Sequence, residues 1–335
     1  MAWPVAATVT RAPLRLSLGG GGTDLPSHYR RAGGFVVSAA IDCYVHVLAG
    51  SAFGRGYVLK HLHLEQAATP EEVEHPILRA ALSRHWRGGP LEIASVADIP
   101  AGTGLGSSGA YAVCVVAALK LAAGQWPSAA ELAEAACEIE IGDLGRSVGK
   151  QDQYAAAHGG VCAYGFHPDG SVDVRRLRLP DDVRRALREQ FLLFYTGTER
   201  SASELLSHQV SRTLAGDEEV ARRLERSAEL ARETAAALEC GELDLLGPLI
   251  DEGFELKRSR APGALPAEVE ELRERARGSG ALAATLMGAG GGGFLLVYTR
   301  HPDATRQAMA EASVRELAFD LDEQGCVALE PRRPN

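Results

Sequence analysis

Pro100-Ala-Gly-Thr-Gly-Leu-Gly-Ser-Ser-Gly109, followed by the mostly apolar run Ala110 to Ala123, constrains this chain more than any other stretch. Tyr111, Cys114, Val115, Ala118, Leu119 and Ala122 recur at helical spacing, so a helix follows the glycines directly. A helix N-terminus leaves backbone N–H groups unpaired and carries the positive end of the macrodipole, which suits a phosphate. Glycines avoid side-chain clashes and accept positive φ, so those N–H groups can converge on one anion. The stretch reads as a nucleotide phosphate loop. Taken alone it fits a plain connector equally well.

Two better-known phosphate motifs fail. Gly104 to Gly109 and Gly288 to Gly293 both match GxGxxG. A dinucleotide unit needs a strand running straight into the glycines and a second strand with an acidic end about 20 residues on. Here Asp98-Ile99-Pro100 separates the strand-like Leu91 to Val96 from the loop, and a second helix, Ser128 to Ile141, follows the first. No Lys-Ser/Thr follows the glycines, so the Walker pattern fails too.

The chain has 335 residues, enough for two cores. Its composition shifts near residue 185, so domains of 1–185 and 186–335 with a cleft between them are expected, in an α+β architecture. The net charge of −9 leaves no basic footprint for nucleic acid. Six scattered cysteines lack metal or redox spacing and fit buried thiols in a reducing compartment. No signal peptide is read at the N-terminus, and the uncharged stretches Ala101 to Leu119 and Gly278 to Thr299 are broken by glycines. A cytoplasmic protein without a membrane partner is the expectation, as a monomer or homodimer.

Thr8 to Thr10 and Leu14 to Leu18 read as separate strand pieces on either side of Pro13. Gly34 to Leu48 reads as paired strands, Tyr57 to Glu65 as one more, and Glu71 to Trp86 as mainly helix. From Ser201 to about Cys240 the chain reads as charged helix, and Ala304 to Ala318 as the last helix before a terminal strand near Gly325 to Leu329. Within this frame Gly19-Gly-Gly-Gly-Thr-Asp-Leu-Pro26 is a loop able to lie against a ligand, with Asp24 its only charge. Asp24 and Asp152 each also fit a helix-capping role.

Three glycine-rich loops therefore occur in order: Arg11 through Thr23-Asp24, Pro100 to Gly109, and Gly288 to Gly293. The trio resembles the GHMP kinase superfamily over almost the whole chain. Within it, the likeness is to D-glycero-D-manno-heptose 7-phosphate kinases. It is carried by Arg11 to Pro26, Glu74-His-Pro-Ile-Leu-Arg79, Gly149-Lys-Gln-Asp-Gln-Tyr154, Phe194-Tyr-Thr-Gly197 with Arg200-Ser-Ala-Ser203, and Leu256-Lys-Arg-Ser-Arg-Ala-Pro262. The resemblance implies an N-terminal α/β nucleotide-binding domain and a ferredoxin-like C-terminal domain around a cleft. It also implies transfer of phosphate from ATP, with Mg²⁺, to the anomeric C1 hydroxyl of a heptose 7-phosphate.

The resemblance also distributes roles. Gly102, Gly104, Leu105, Gly106, Ser107, Ser108 and Gly109 look like the loop around the ATP phosphates, with Ser107 (or Ser108) and Glu140 on the metal. Asp152 resembles the base that takes the sugar proton, and Arg15 the cation beside the transferring group. Gly21, Gly22, Thr23 and Asp24 resemble the sugar-binding turn, with Gly290 and Gly291 closing the site; Lys257, Arg258 and Arg260, together with Arg200, are the basic candidates for the distal phosphate. One departure stands out: Ala284-Thr285 lies where the third motif often has a lysine. Another anomeric kinase, acting on an unphosphorylated sugar or uronic acid, and a non-catalytic sugar and ATP sensor are the alternatives.

Overall fold

The computed structural model describes residues 7–54, 56–197, 202–260, 266–288 and 292–329. In chain order the first part comprises β1 (Thr8–Gly19), α1 (Pro26–Ala32), β2 (Gly34–Ser51), β3 (Tyr57–Lys60), β4 (Leu64–Ala67), α2 (Pro76–His85), β5 (Leu91–Ala97), α3 (Ser107–Ala122), α4 (Ala129–Cys137), α5 (Gln151–His158), β6 (Val161–Phe166) and β7 (Val172–Arg176). It continues with α6 (Asp181–Glu189), β8 (Phe191–Tyr195), α7 (Ala202–Leu214), α8 (Glu218–Cys240), α9 (Leu243–Arg260), α10 (Ala267–Gly278), β9 (Ala281–Leu286), β10 (Phe294–Thr299), α11 (Pro302–Glu311), β11 (Arg315–Leu317) and β12 (Val327–Ala328).

Two sheets divide the molecule. The larger runs β12-β1-β2-β5-β3-β4, with β6 also on β2 and β7 on β6. All its described pairs are antiparallel except β3 with β5. The smaller has the order β11-β8-β10-β9. Numbered within its own half that is 4-1-3-2, with helices between the first and second and between the third and fourth strands, which is the expected ferredoxin-like arrangement.

Several local expectations change for physical reasons. β1 runs unbroken through Pro13, because a register shift beside Leu14 absorbs the residue that cannot donate to the ladder. Gly34 to Leu48 lies within one strand of 18 residues, Gly34–Ser51, rather than a pair; its first half pairs with β6 and its second with β5. Tyr57 to Glu65 instead holds β3 and the start of β4, a hairpin that closes at Ala67. The charged helix from Ser201 splits at Asp217, whose carboxylate caps α8 through Glu219 and Val220 N–H. The last helix stops at Glu311, and the chain then supplies β11.

The terminal strand returns to the first domain. β12 pairs with β1, and Asp322 within the preceding turn accepts the Tyr44 hydroxyl at 3.0 Å. The division at residue 185 is therefore crossed twice, and 320–328 pack with the large sheet. Helix α3 sits at the centre of the first core, with Ala110, Val113, Cys114, Ala117 and Leu119 wholly buried. Small residues let α5 approach it closely. A Cβ at Gly109 would meet Asp152 Cβ at 2.7 Å, so this glycine sets the distance between the α3 N-terminus and the residue facing it.

Candidate active site

The cleft between the two sheets is where the three glycine loops meet. Gly21, Gly22, Gly104, Gly106 and Asp152 line it from the first half, and Lys257, Met287 and Gly288 from the second. The second and third loops touch backbone to backbone. A Cβ on Gly104 would lie 2.7 Å from Met287 O, and one on Gly288 would lie 2.6 Å from Gly104 Cα. Both glycines also have positive φ, so both the space and the backbone conformation exclude a side chain.

Arg15 and Asp152 form the centre. The Arg15 Nε donates to Asp152 Oδ1 at 2.8 Å, its Nη2 approaches the same oxygen at 2.6 Å, and its Nη1 donates to Gly104 O at 2.6 Å. The Arg15 backbone N–H is bound to Leu105 O at 3.0 Å, so strand and glycine loop are pinned at both main chain and side chain. Arg15 is buried although it sits on a strand, because the loop and α5 close over it. Asp152 lies in the first turn of α5 but makes no capping bond, so the capping reading gives way to the ion pair.

A second carboxylate pair lies beside it. The chain after α4 (whose N-terminus carries a Ser128–Glu131 capping box) winds into a π-helical turn, Glu138–Asp143, which presents Glu140 inward. Ser108 Oγ donates to Glu140 Oε1 at 2.5 Å, and Gln153 Nε2 donates to Oε2 at 2.8 Å. Arg146 Nη1 donates to both Ser108 Oγ and Glu140 Oε1, each at 2.9 Å. Burial raises the Glu140 pKa, while Ser108, Arg146 and Gln153 oppose it. Ser107 and Ser108 both line the cleft, and it is Ser108 that hydrogen-bonds Glu140. A hydroxyl and a carboxylate sharing one cation are hard oxygen donors, and this set fits a small divalent ion that keeps phosphate and water ligands.

The other expected residues separate. Asp24 does not cap α1; its Oδ1 accepts Gly22 N–H at 3.0 Å and its Oδ2 accepts Gln151 N–H at 3.1 Å, at the start of α5. Its pKa is raised, chiefly by burial and against the Gln151 N–H. Thr23 is fully buried and donates to Gly20 O and Phe35 O, so it braces the turn from behind. Leu105 points into the core, and Gly109 packs under Asp152; neither lines the cleft. Lys257 does line it, with Nζ donating to Leu286 O at 2.6 Å, so a lysine from α9 reaches β9 beside Thr285, where the motif lysine is missing. Arg258 is exposed and paired with Glu255 at 2.6 Å, away from the cleft lining. Arg200, Gly290 and Gly291 lie outside the described residues.

Sequence reading did not single out Arg146, Gln153 or Gln209. Gln209 Nε2 donates to Gly22 O at 3.3 Å from α7 and lines the cleft. Only Gln153 carried a signal, since it lies within the quoted stretch around Asp152.

Similarity to known proteins points to one family. Residues 75–160 match the GHMP kinases N terminal domain, and residues 228–314 match the GHMP kinases C terminal family. The chain is 28 % identical over 305 residues to a D-glycero-alpha-D-manno-heptose 7-phosphate kinase of Campylobacter jejuni, covering 86 % of this chain and 88 % of that one. It is 30 % identical over 315 residues to a mevalonate kinase of Aeropyrum pernix, covering 89 % and 93 %. Among solved structures, a D-glycero-D-manno-heptose 1-phosphate kinase from Bacteroides thetaiotaomicron superposes with a TM-score of 0.78 at 22 % identity, covering 97 % of this chain and all (100 %) of that one. Lactococcus lactis galactokinase with galactose superposes with a TM-score of 0.76 at 18 % identity, covering 96 % and 95 %. Among the described residues no helix is long and apolar enough to cross a membrane. Two clustered carboxylates, three glycine loops in one cleft and these matches place the chain in the GHMP kinase family, and it is a kinase.

Proposed function

We propose that the protein transfers the γ-phosphoryl group of ATP to the anomeric C1 hydroxyl of D-glycero-D-manno-heptose 7-phosphate, giving the 1,7-bisphosphate on a route to nucleotide-activated heptose. The observation that carries the transfer is the Arg15–Asp152 pair at the foot of α3. Both Arg15 contacts fall on Oδ1, which leaves Oδ2 to accept the C1 hydroxyl proton. The sugar oxygen then bonds to the γ-phosphorus as the bond to the β,γ-bridging oxygen breaks, and ADP leaves. The heptose itself is argued from the Campylobacter relative, similar along nearly its full length.

The chain's own groups divide the work. N–H groups of the loop Gly102 to Ser108 and the α3 N-terminus hold the polyphosphate. Ser108 and Glu140 would hold Mg²⁺, which supplies neutralising charge to the phosphates. Asp24, fixed by two backbone N–H groups, orients sugar hydroxyls together with Gly21 and Gly22. Lys257 brings positive charge from the second half toward the 7-phosphate.

ADP release with Mg-ATP and heptose 7-phosphate, with the product phosphate placed by ³¹P NMR, tests the reading. A new anomeric phosphate is the expected outcome. Equal rates on heptose and heptose 7-phosphate would remove the 7-phosphate requirement. Turnover only on a uronic acid or another sugar would leave a different anomeric kinase, and no turnover on any sugar would leave a sensor.

A further inference from the structure

Arg146 stands at the one point where a divalent ion and a protein cation would compete. Its Nη1 lies 2.9 Å from both Ser108 Oγ and Glu140 Oε1. The Ser108 proton is already committed to Glu140, so the hydroxyl lone pairs face Nη1. A magnesium ion bonds oxygen at about 2.0–2.1 Å, so it cannot share these lone pairs with a guanidinium hydrogen-bonded to the same two atoms. The Glu140 side chain is 2 % exposed and that of Arg146 is 29 % exposed. The carboxylate is fixed, while the cation has a way out to solvent. Arg146 is also the only cation within ion-pair distance of Glu140 among the described residues, and a buried carboxylate without a counter-charge is costly.

We propose that Arg146 is the resident counter-ion of the Ser108–Glu140 pair, exchanged for the divalent ion when the nucleotide arrives. This rests on the metal reading of Ser108 and Glu140 given above. The exchange gives metal binding a built-in opponent. Without nucleotide, a divalent ion must displace a well-placed guanidinium with no phosphate oxygens to complete its shell. With nucleotide, the phosphates supply both the missing ligands and a new partner for the released Arg146. The enzyme thus takes the metal and nucleotide as a unit, and the buried carboxylate is never left bare. Arg146 is a positioning residue in this scheme, since it acts through Glu140.

The test is Mn²⁺ binding in the absence of nucleotide, followed by the EPR signal of the free ion. Removing the competitor in R146A should tighten Mn²⁺ binding about tenfold, within the usual range of couplings between two sites. R146Q should tighten it as well, and serves if R146A does not fold. The double variant R146A/E140Q should lose the gained affinity. A second readout is thermal midpoint: R146A should melt below the parent in EDTA and recover in Mn²⁺. Mn²⁺ affinity no tighter in R146A and R146Q than in the parent overturns the exchange. If E140Q still abolishes Mg²⁺-dependent turnover in that case, the metal reading survives without it. Tighter binding that persists in the double variant places the ion elsewhere and overturns both.

Discussion

The two arginine–carboxylate pairs near the α3 N-terminus are built in opposite senses. In Arg15–Asp152 the cation is 6 % exposed and the carboxylate 32 %; in Arg146–Glu140 the cation is 29 % exposed and the carboxylate 2 %. The first pair anchors a cation in order to present a carboxylate. The second anchors a carboxylate and leaves its cation replaceable. The same two side-chain types thus suit proton acceptance in one place and cation exchange in the other, and which partner is buried makes the difference.

The largest effect expected of any variant separates the pairs at the base. Asp152→Asn should lower kcat by about 10²- to 10⁴-fold while ATP affinity, measured by calorimetry, stays near that of the parent. Loss of tenfold or less would remove Asp152 from that role. Arg15→Met should cost less, about 10²-fold in kcat, because it frees the base and leaves Gly104 O without its donor, so a correctly typed group is misplaced. If Arg15→Met matched the parent in steady-state kinetics, the presented carboxylate would not need its anchor.

Next in size comes the Gly104–Met287 contact. Gly104→Ala should destabilise by about 1–2 kcal/mol in urea unfolding, from the left-handed backbone alone, and should raise the KM for ATP. A parent-like midpoint would show that the loops separate freely.

The smallest effect sharpens the second pair. Burial, His61 and Arg146 together hold the His75 pKa down to about 4, against the pull of Glu65. A base depressed in the fold binds fewer protons than in the unfolded chain between its ordinary value near 6.5 and about 4, so its contribution to stability is complete above that window and is lost as pH falls through it. Arg146→Gln should move the His75 titration upward by a fraction of a pH unit in NMR. An unmoved His75 would show that the guanidinium does not act on that ring.

Much of this was legible beforehand for identifiable reasons. The α3 phosphate loop announces itself because glycine and helical periodicity are local. So is the helix start at Ser128. Strand extents were misread where pairing, which is non-local, decided them: β2 continues because β5 and β6 share its edge, and β11 exists because β8 lies beside it. Residue roles followed the same rule. Capping its own helix was one reading of Asp24, but it binds an N–H 127 residues away. Arg258 looked as useful as Lys257, yet one turns to Glu255 and the other into the cleft.

The sequence by itself determined the family and the three glycine loops, and marked Glu140, Asp152 and Arg15 as candidates, because each rests on residue type within a short stretch. Only the tertiary structure decided that Ser108 rather than Ser107 meets Glu140, that Arg146 sits on both, and that Arg15 is buried while Asp152 opens to the cleft. Those outcomes depend on helix phase and on which surfaces cover a side chain, and both are set by packing between segments far apart in the chain.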